Sequence, residues 1–500
     1  MKRVDSMKAK LQALFRSVRE KFRTLHSNPE KPQKFQIIQG VLIKCQINSY
    51  EKELVIPDGV ITIGTAAFYN CRNIEKIILP DGVRIIRSSA FENCRKLKTV
   101  RLPDSITSIY ERAFTGCDSL EEIQLPPKLT VISKYLFKDC YVLKQIRIPK
   151  GITSVQESAF SGCLSLEEIS LPLCRDIPDS LFRNCRNLKS VSIPSASGRI
   201  GKGAFHNCQN LKNIVLPSRI RIISDNAFQN CLNLTGIQIP ENVEFIGYEA
   251  FKNSGLEHLV LPSTITQMGT DAFADCKHLE RVCFSEGIKE IYPSMFRNCT
   301  ELKEIRIPDG VRVIKQSAFS GCVNLTDITI PDSVIGVSYT AFTLCHNLRN
   351  VKLHGLYFSV IRLCDTGLYS APYDAMVSIV SAVSPTAQRS GENLHDEKIT
   401  AVYQYLFWKY LQNPEDKKIA DYIHENLNLM FDSLITVKDI KLIQELLTVE
   451  NLFTKENIQK FILFANHEQA YEIQVLLSEY QYSAFAPESI EEIIRNKFEL

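Results

Sequence analysis

The residues of this chain best equipped for chemistry are its sixteen cysteines. Twelve recur in one setting, each three residues after a phenylalanine, from Cys71 through Cys345. Thiols in a regular series could ligate metal, exchange disulfides or act as nucleophiles. Metal and redox sites need close pairs such as C-x-x-C, or His and Cys at ligand spacing, and the chain has no C-x-x-C. In stacked units, successive thiols would stand roughly 4.8 Å apart, wider than the Cβ separation of a disulfide. The spacing therefore predicts a buried, reduced ladder of small apolar side chains.

Other chemical signals fail on context. "GRIGKGAF", residues 198–205, lacks the G-x-x-x-x-G-K-[ST] order of a phosphate loop and falls where Gly64 and Gly247 also occur. His424 and His467 each precede Glu, but neither makes H-E-x-x-H. Nine scattered His and no nucleophile motif give no catalytic constellation. The expectation is a non-enzyme with no cofactor and no metal.

What positions the cysteines is a repeat. Phe68, Phe91, Phe114, Phe137, Phe160, Phe182, Phe205, Phe228, Phe251, Phe273, Phe296, Phe319 and Phe342 follow one another at 23 residues, twice at 22. Such a period marks a solenoid whose units stack only on their neighbours. In "LKTVRLP", Val100 and Leu102 alternate with polar residues as in a half-buried strand that Pro103 ends. Ile106 and Ile109 suggest a second, returning strand. In "ERAFTGC", Ala113, Phe114 and Cys117 fit one helical turn that points all three inward. Ser254 replaces Cys in a 22-residue unit, where a local change of coil is expected.

Both ends differ from the array. Residues 1–34 hold ten Lys or Arg against three acids, whereas the whole chain carries only +3. Leu11, Leu14, Phe15, Val18, Phe22 and Leu25 make one apolar stripe among those charges, as in an amphipathic helix. It suits packing on the first coil or a partner's groove; an anionic membrane surface reached through residues 1–26 is the alternative. Beyond residue 370 the period is lost, and segments such as "DEKITAVYQYLFWKYLQ" and "KENIQKFILFA" read as helices, with Pro414 as one helix start. No continuous apolar run of a secretory signal or membrane span is evident, which predicts a cytoplasmic protein.

The unit "LPDSITSIYERAFTGCDSLEEIQLP" resembles the leucine-rich repeats of BspA-like proteins, and "FQIIQGVLIKCQINSYEKELVIPDGV" is similar to that family's N-terminal capping hairpin. The resemblance, over about residues 35–360, implies an α+β fold: a β-solenoid of about thirteen units with an N-terminal helix and a C-terminal all-helical domain. The organisation expected is a basic helix over 1–33, a capping hairpin over 34–56, repeats over 57–353, a transition over 354–369 and helices over 370–500. The family includes surface adhesins, so an exported adhesin stands as the alternative to a cytosolic, monomeric interaction scaffold.

In such a solenoid, residues alternating with the buried strand positions form an exposed column. Its candidate partner-binding residues are Arg101, Glu122, Arg147, Glu168, His258, Arg281, Glu304, Arg306 and Lys352. The column mixes both signs of charge and holds no aromatic residue. That composition favours a protein or peptide partner through the sheet face, the helical tail or both, and disfavours nucleic acid.

Overall fold

The computed structural model describes residues 34–46, 50–338, 340–364, 367–369, 372–383 and 397–485. The basic segment 1–33 and residues 486–500 lie outside the described residues, so the expected amphipathic helix does too. The chain forms two compact units, Met1–Pro172 and Leu173–Leu500.

The first unit opens with an antiparallel hairpin, Phe35–Ile38 with Val41–Cys45. The repeats then lay down two parallel ladders. Sheet strands Glu53–Val55, Lys76–Ile78 and Thr99–Arg101 pair in register, as do Glu122–Gln124 and Gln145–Arg147. Return strands Thr62–Ile63, Ile85–Ile86 and Ser108–Ile109 form the second ladder, which starts on the hairpin. Each Pro after a sheet strand turns the chain: Ile106 N–H donates to Pro103 O at 3.2 Å and Leu129 N–H to Pro126 O at 3.1 Å. Pro has no N–H for a ladder, but its carbonyl serves the turn.

The second unit repeats this plan through strands such as His258–Leu261, Arg281–Phe284, Glu304–Arg306 and Asp327–Ile330. Its last sheet strand, Asn350–Leu353, doubles back through His354 and Gly355, both at positive φ, into antiparallel Leu356–Ser359. Two such residues make the tight hairpin turn that matches strand twist, and the added strand covers the edge of the ladder. Among the described residues, seven helices follow: α1 Val360–Cys364, α2 Pro372–Val383, α3 Glu397–Gln412, α4 Lys417–Thr436, α5 Ile440–Leu446, α6 Lys455–His467 and α7 Tyr471–Ala484. The helix expected at Pro414 begins instead at Lys417. Asp416 caps it by accepting from the Lys418 and Ile419 N–H groups, which Pro414 cannot do.

A stack of one residue type runs through the core of each unit. Phe68, Phe91, Phe114, Phe137 and Phe160 lie ring on ring at centroid distances of 5.0–5.8 Å in the first unit. Phe182 through Phe342 do the same in the second. The segment holding each ring is not the helical turn expected from "ERAFTGC". Residues two before and two after the ring take positive φ in every turn before the last, for example Ser89 at 56° and Asn93 at 62°, or Arg112 at 58° and Gly116 at 68°; in the last, Leu344 after Phe342 does. Two linked left-handed turns let each turn's N–H groups reach its neighbour: Phe91 N–H donates to Ala113 O at 2.9 Å and Asn93 N–H to Thr115 O at 2.8 Å. A helical turn would spend those donors on itself.

The position after the ring is Asn, Asp or Gly in every turn but the last, where Leu344 holds φ 62° with its side chain half exposed. A bulky residue there is strained by about 1–2 kcal/mol. Leu344→Asn is therefore expected to raise stability by about 1 kcal/mol in a urea melt; an unchanged midpoint would remove the strain argument. In the shortened unit, Gly255 sits where an added Cβ would be 2.1 Å from Leu232 O, an approach of two backbones that only glycine permits.

Candidate interaction surface

The ladder thiols are buried, as their spacing implies, except Cys71, which is half-buried because its neighbour is the hairpin rather than a repeat. They are not inert filler. Along the ladder they donate to the carbonyl of the phenylalanine in the preceding turn, as Cys94 Sγ does to Phe68 O at 3.1 Å, Cys208 Sγ to Phe182 O at 3.1 Å and Cys322 Sγ to Phe296 O at 3.2 Å. Burial pushes the Cys117, Cys140, Cys208, Cys299 and Cys322 thiols well above their ordinary range, which suppresses thiolate chemistry. All sixteen cysteines are free of disulfides. Where Ser254 stands, its hydroxyl meets Cys276 Sγ at 3.3 Å, so the ladder continues with oxygen for sulfur.

In "GRIGKGAF", Gly201 serves packing: a Cβ on it would lie 2.6 Å from the backbone of Asp179. Exposed His467 meets Glu468 at 2.9 Å and stacks on the Phe464 ring, and His424 lies on α4. Among the described residues, no group of three or more His, Cys, Asp or Glu could hold a metal, and no helix is long and apolar enough to cross a membrane.

The sheet columns place every expected contact residue in solvent, separately in the two units. In the first, Arg101, Glu122 and Arg147 line a concavity of about 610 Å³ with Thr99, Gln124 and Gln145; Glu168 is exposed outside it. Arg101 reaches Asp81 at 3.7 Å, too exposed a pair to hold it rigidly. In the second, His258 stands opposite Arg281 and Val260 opposite Cys283, the one fully exposed cysteine. Glu304 stands opposite Asp327, while Arg306 and Lys352 flank Thr329.

The column does not end without an aromatic. Lys352 pairs with Tyr357 on the added antiparallel strand, and Tyr357 is 46% exposed. Lys409 of α3 donates to Tyr357 O at 3.1 Å with its ammonium 5.1 Å from that ring. One turn's reach away, Trp408, the chain's one tryptophan, is 39% exposed beneath the Arg362 guanidinium at 4.6 Å. Tyr405 closes the group, 6.1 Å from Trp408 and stacked on buried Phe358, with its hydroxyl accepting from Ser359 N–H at 2.9 Å. Burial, together with the Arg362 charge, lowers the Lys409 pKa. Sequence reading missed this patch because it joins a strand outside the repeat period to a helix some fifty residues on; the lone Trp beside Lys in "YLFWKYLQ" was its only signal.

A family model described as the BspA type leucine rich repeat region matches residues 44–167, 130–257, 175–299 and 221–349, more than half of the chain. The chain belongs to the BspA-type leucine-rich repeat family. Among solved structures it is similar to a leucine-rich repeat protein from Bacteroides ovatus, at 27% identity over 63% of this chain and 91% of that one, TM-score 0.47. It is also similar to a leucine rich cell surface protein from Faecalibacterium prausnitzii, at 26% identity over 66% and 96%, TM-score 0.41. No curated protein matches. BspA-type repeats account for the stacked fold and its sheet face; the aromatic patch involves the helices that follow the matched residues.

Proposed function

We propose that the chain is a non-catalytic scaffold that holds an extended acidic segment of a partner protein, anchored at the C-terminal end of the sheet face. The observation that carries this reading is the patch of Tyr357, Trp408, Arg362 and Lys409 continuing the column at Lys352. Tyr, Trp and Arg are the residues that dominate binding energy in protein interfaces. Arg362 and Lys409 give the patch a basic surplus, opposed at Lys409 by Asp416, and that surplus favours an acidic partner. Arg281, Arg306 and Lys352 extend the same sign along the second unit's face, with Glu304 and Asp327 interrupting it and setting register. Sixteen free thiols suit a reducing compartment, which supports reading the scaffold as cytoplasmic rather than displayed on the cell surface.

Trp408 is both anchor and reporter. Titration with a synthetic acidic peptide carrying one leucine should shift its emission, and a lysine-for-glutamate version should not. The double variant Arg362→Glu with Lys409→Glu is expected to weaken the acidic peptide by about 2–3 kcal/mol, more than thirtyfold, without moving the melting temperature. Equal response to both peptides, or unchanged affinity in the double variant, would refute the reading.

A further inference from the structure

Away from the sheet face, the return side of the second unit carries a cavity of about 690 Å³ lined by Arg175, Arg199, Arg219 and Arg221, with Asn242 and one acid, Asp176. Three backbones make its floor. Gly198 N–H donates to Arg175 O at 2.8 Å and Arg221 N–H to Gly198 O at 2.9 Å, so these residues occupy successive rungs of one column. Arg175 and Arg221 are then two rungs apart, roughly 10 Å between backbones, and the rung between them has no side chain. A Cβ on Gly198 would meet nothing nearer than Asp176 Oδ1 at 3.8 Å. The gap is open, not packed.

The charges around it are uneven. Arg199 is held by Asp179 at 3.0 Å and Arg221 by Glu244 at 3.3 Å, both acids lying outside the lining. Arg175 and Arg219 are exposed and make no ion pair. Against the four guanidiniums stand Asp176 in the lining and Asp179 and Glu244 beside it, so the positive surplus rests on Arg175 and Arg219. Guanidinium groups present forked donors that match carboxylate and phosphoryl oxygens bidentately, and a phosphoryl group, with more oxygens and more charge, can engage two or three such forks at once.

We propose that this notch binds a phosphoryl group, received between Arg175 and Arg221 over Gly198 with Arg219 as a third donor. The site is formed by side chains on a β-ladder rather than by a glycine-loop cradle; it takes Gly198 and Arg199 from the start of "GRIGKGAF" but not its Gly-Lys pair, and it is separate from the aromatic patch.

Inorganic pyrophosphate is the probe, followed by calorimetry on the full chain, beside vesicles of phosphatidylcholine with and without phosphatidic acid. The double variant Arg175→Gln with Arg219→Gln should lose about tenfold or more in affinity, while keeping the wild-type circular dichroism and melt, since neither side chain is paired. Arg312→Gln, on the return side of another turn, should bind as wild type and so controls for general loss of positive charge. Pyrophosphate binding lost in the double variant supports a soluble phosphoryl ligand. Co-sedimentation with phosphatidic acid vesicles lost in the same variant supports the same site with a lipid source. Wild-type protein that binds neither probe, or a double variant that binds as tightly as wild type, overturns the proposal.

Discussion

Raising the pH to about 10 is expected to unfold the repeats, through the thiols rather than the surface charges. Cys208, Cys231, Cys276, Cys299, Cys322 and Cys345 of the second unit all have pKa values pushed up by burial from the ordinary 9.0, to about 11 for Cys276 and about 12 for Cys345. Above pH 9 the unfolded chain releases these protons and the folded chain keeps them, so the unfolded state binds fewer protons and stability falls as pH rises. The loss begins near the unfolded value and continues until the folded values are reached. At pH 10 each thiol contributes roughly 1 kcal/mol to that loss; six together exceed about 5 kcal/mol, a large share of the 5–15 kcal/mol that holds a typical domain. A thiolate would also lose its bond to the phenylalanine carbonyl. An alkaline titration by far-ultraviolet circular dichroism should show a steep transition between about pH 10 and 11, reversible on return to neutrality. Trp408 on α3 reports the helices separately, where buried Tyr403, pushed up to about 12, contributes one group of the same sign. Retention of the β signal beyond pH 12 would sink the thiol account.

Fold was legible in the sequence to the extent that it was periodic. A recurring Phe, Cys and Pro fixed the number of turns, the inward residues and the two strands per turn, because stacking repeats each environment and so each residue choice. The backbone of the Phe segment was misjudged although its signal was present. Asn70, Asn93, Gly116, Asp139 and Gly162 all stand two residues after the ring, and these are the residue types that accept positive φ. Apolar spacing alone cannot tell a helical turn from two left-handed ones. Cysteine was likewise read as a small apolar group, when its recurrence over Ala or Val reflects a donor for an otherwise distant carbonyl. The site was least legible. Lys352 belongs to the periodic column, but Tyr357, Arg362 and Trp408 come from three elements outside it, and only the folded chain brings them together.

Replacement of Phe228 by Ala is expected to be the most damaging single truncation in the array. Its ring is fully buried between Phe205 at 5.2 Å and Phe251 at 5.1 Å, nearly parallel to both. Removing a buried Phe costs about 3–5 kcal/mol in transfer and cavity terms, and two stacked contacts worth about 0.5–1.5 kcal/mol each go with it. Neighbouring turns cannot close the gap, because their backbones are pinned by Phe228 N–H to Ala250 O at 2.7 Å and Phe205 N–H to Ala227 O at 2.8 Å. Phe342 offers the comparison: it stacks on Phe319 at 5.3 Å, and the chain has no further repeat ring beyond it. Phe342→Ala should therefore cost less, by at least the one missing stack. Because turns are coupled only to their neighbours, Phe228→Ala should also divide the urea transition into two steps, whereas Phe342→Ala should shift a single transition. Equal losses at the two positions, each with one transition, would show that the ring stack does not carry the coupling between turns.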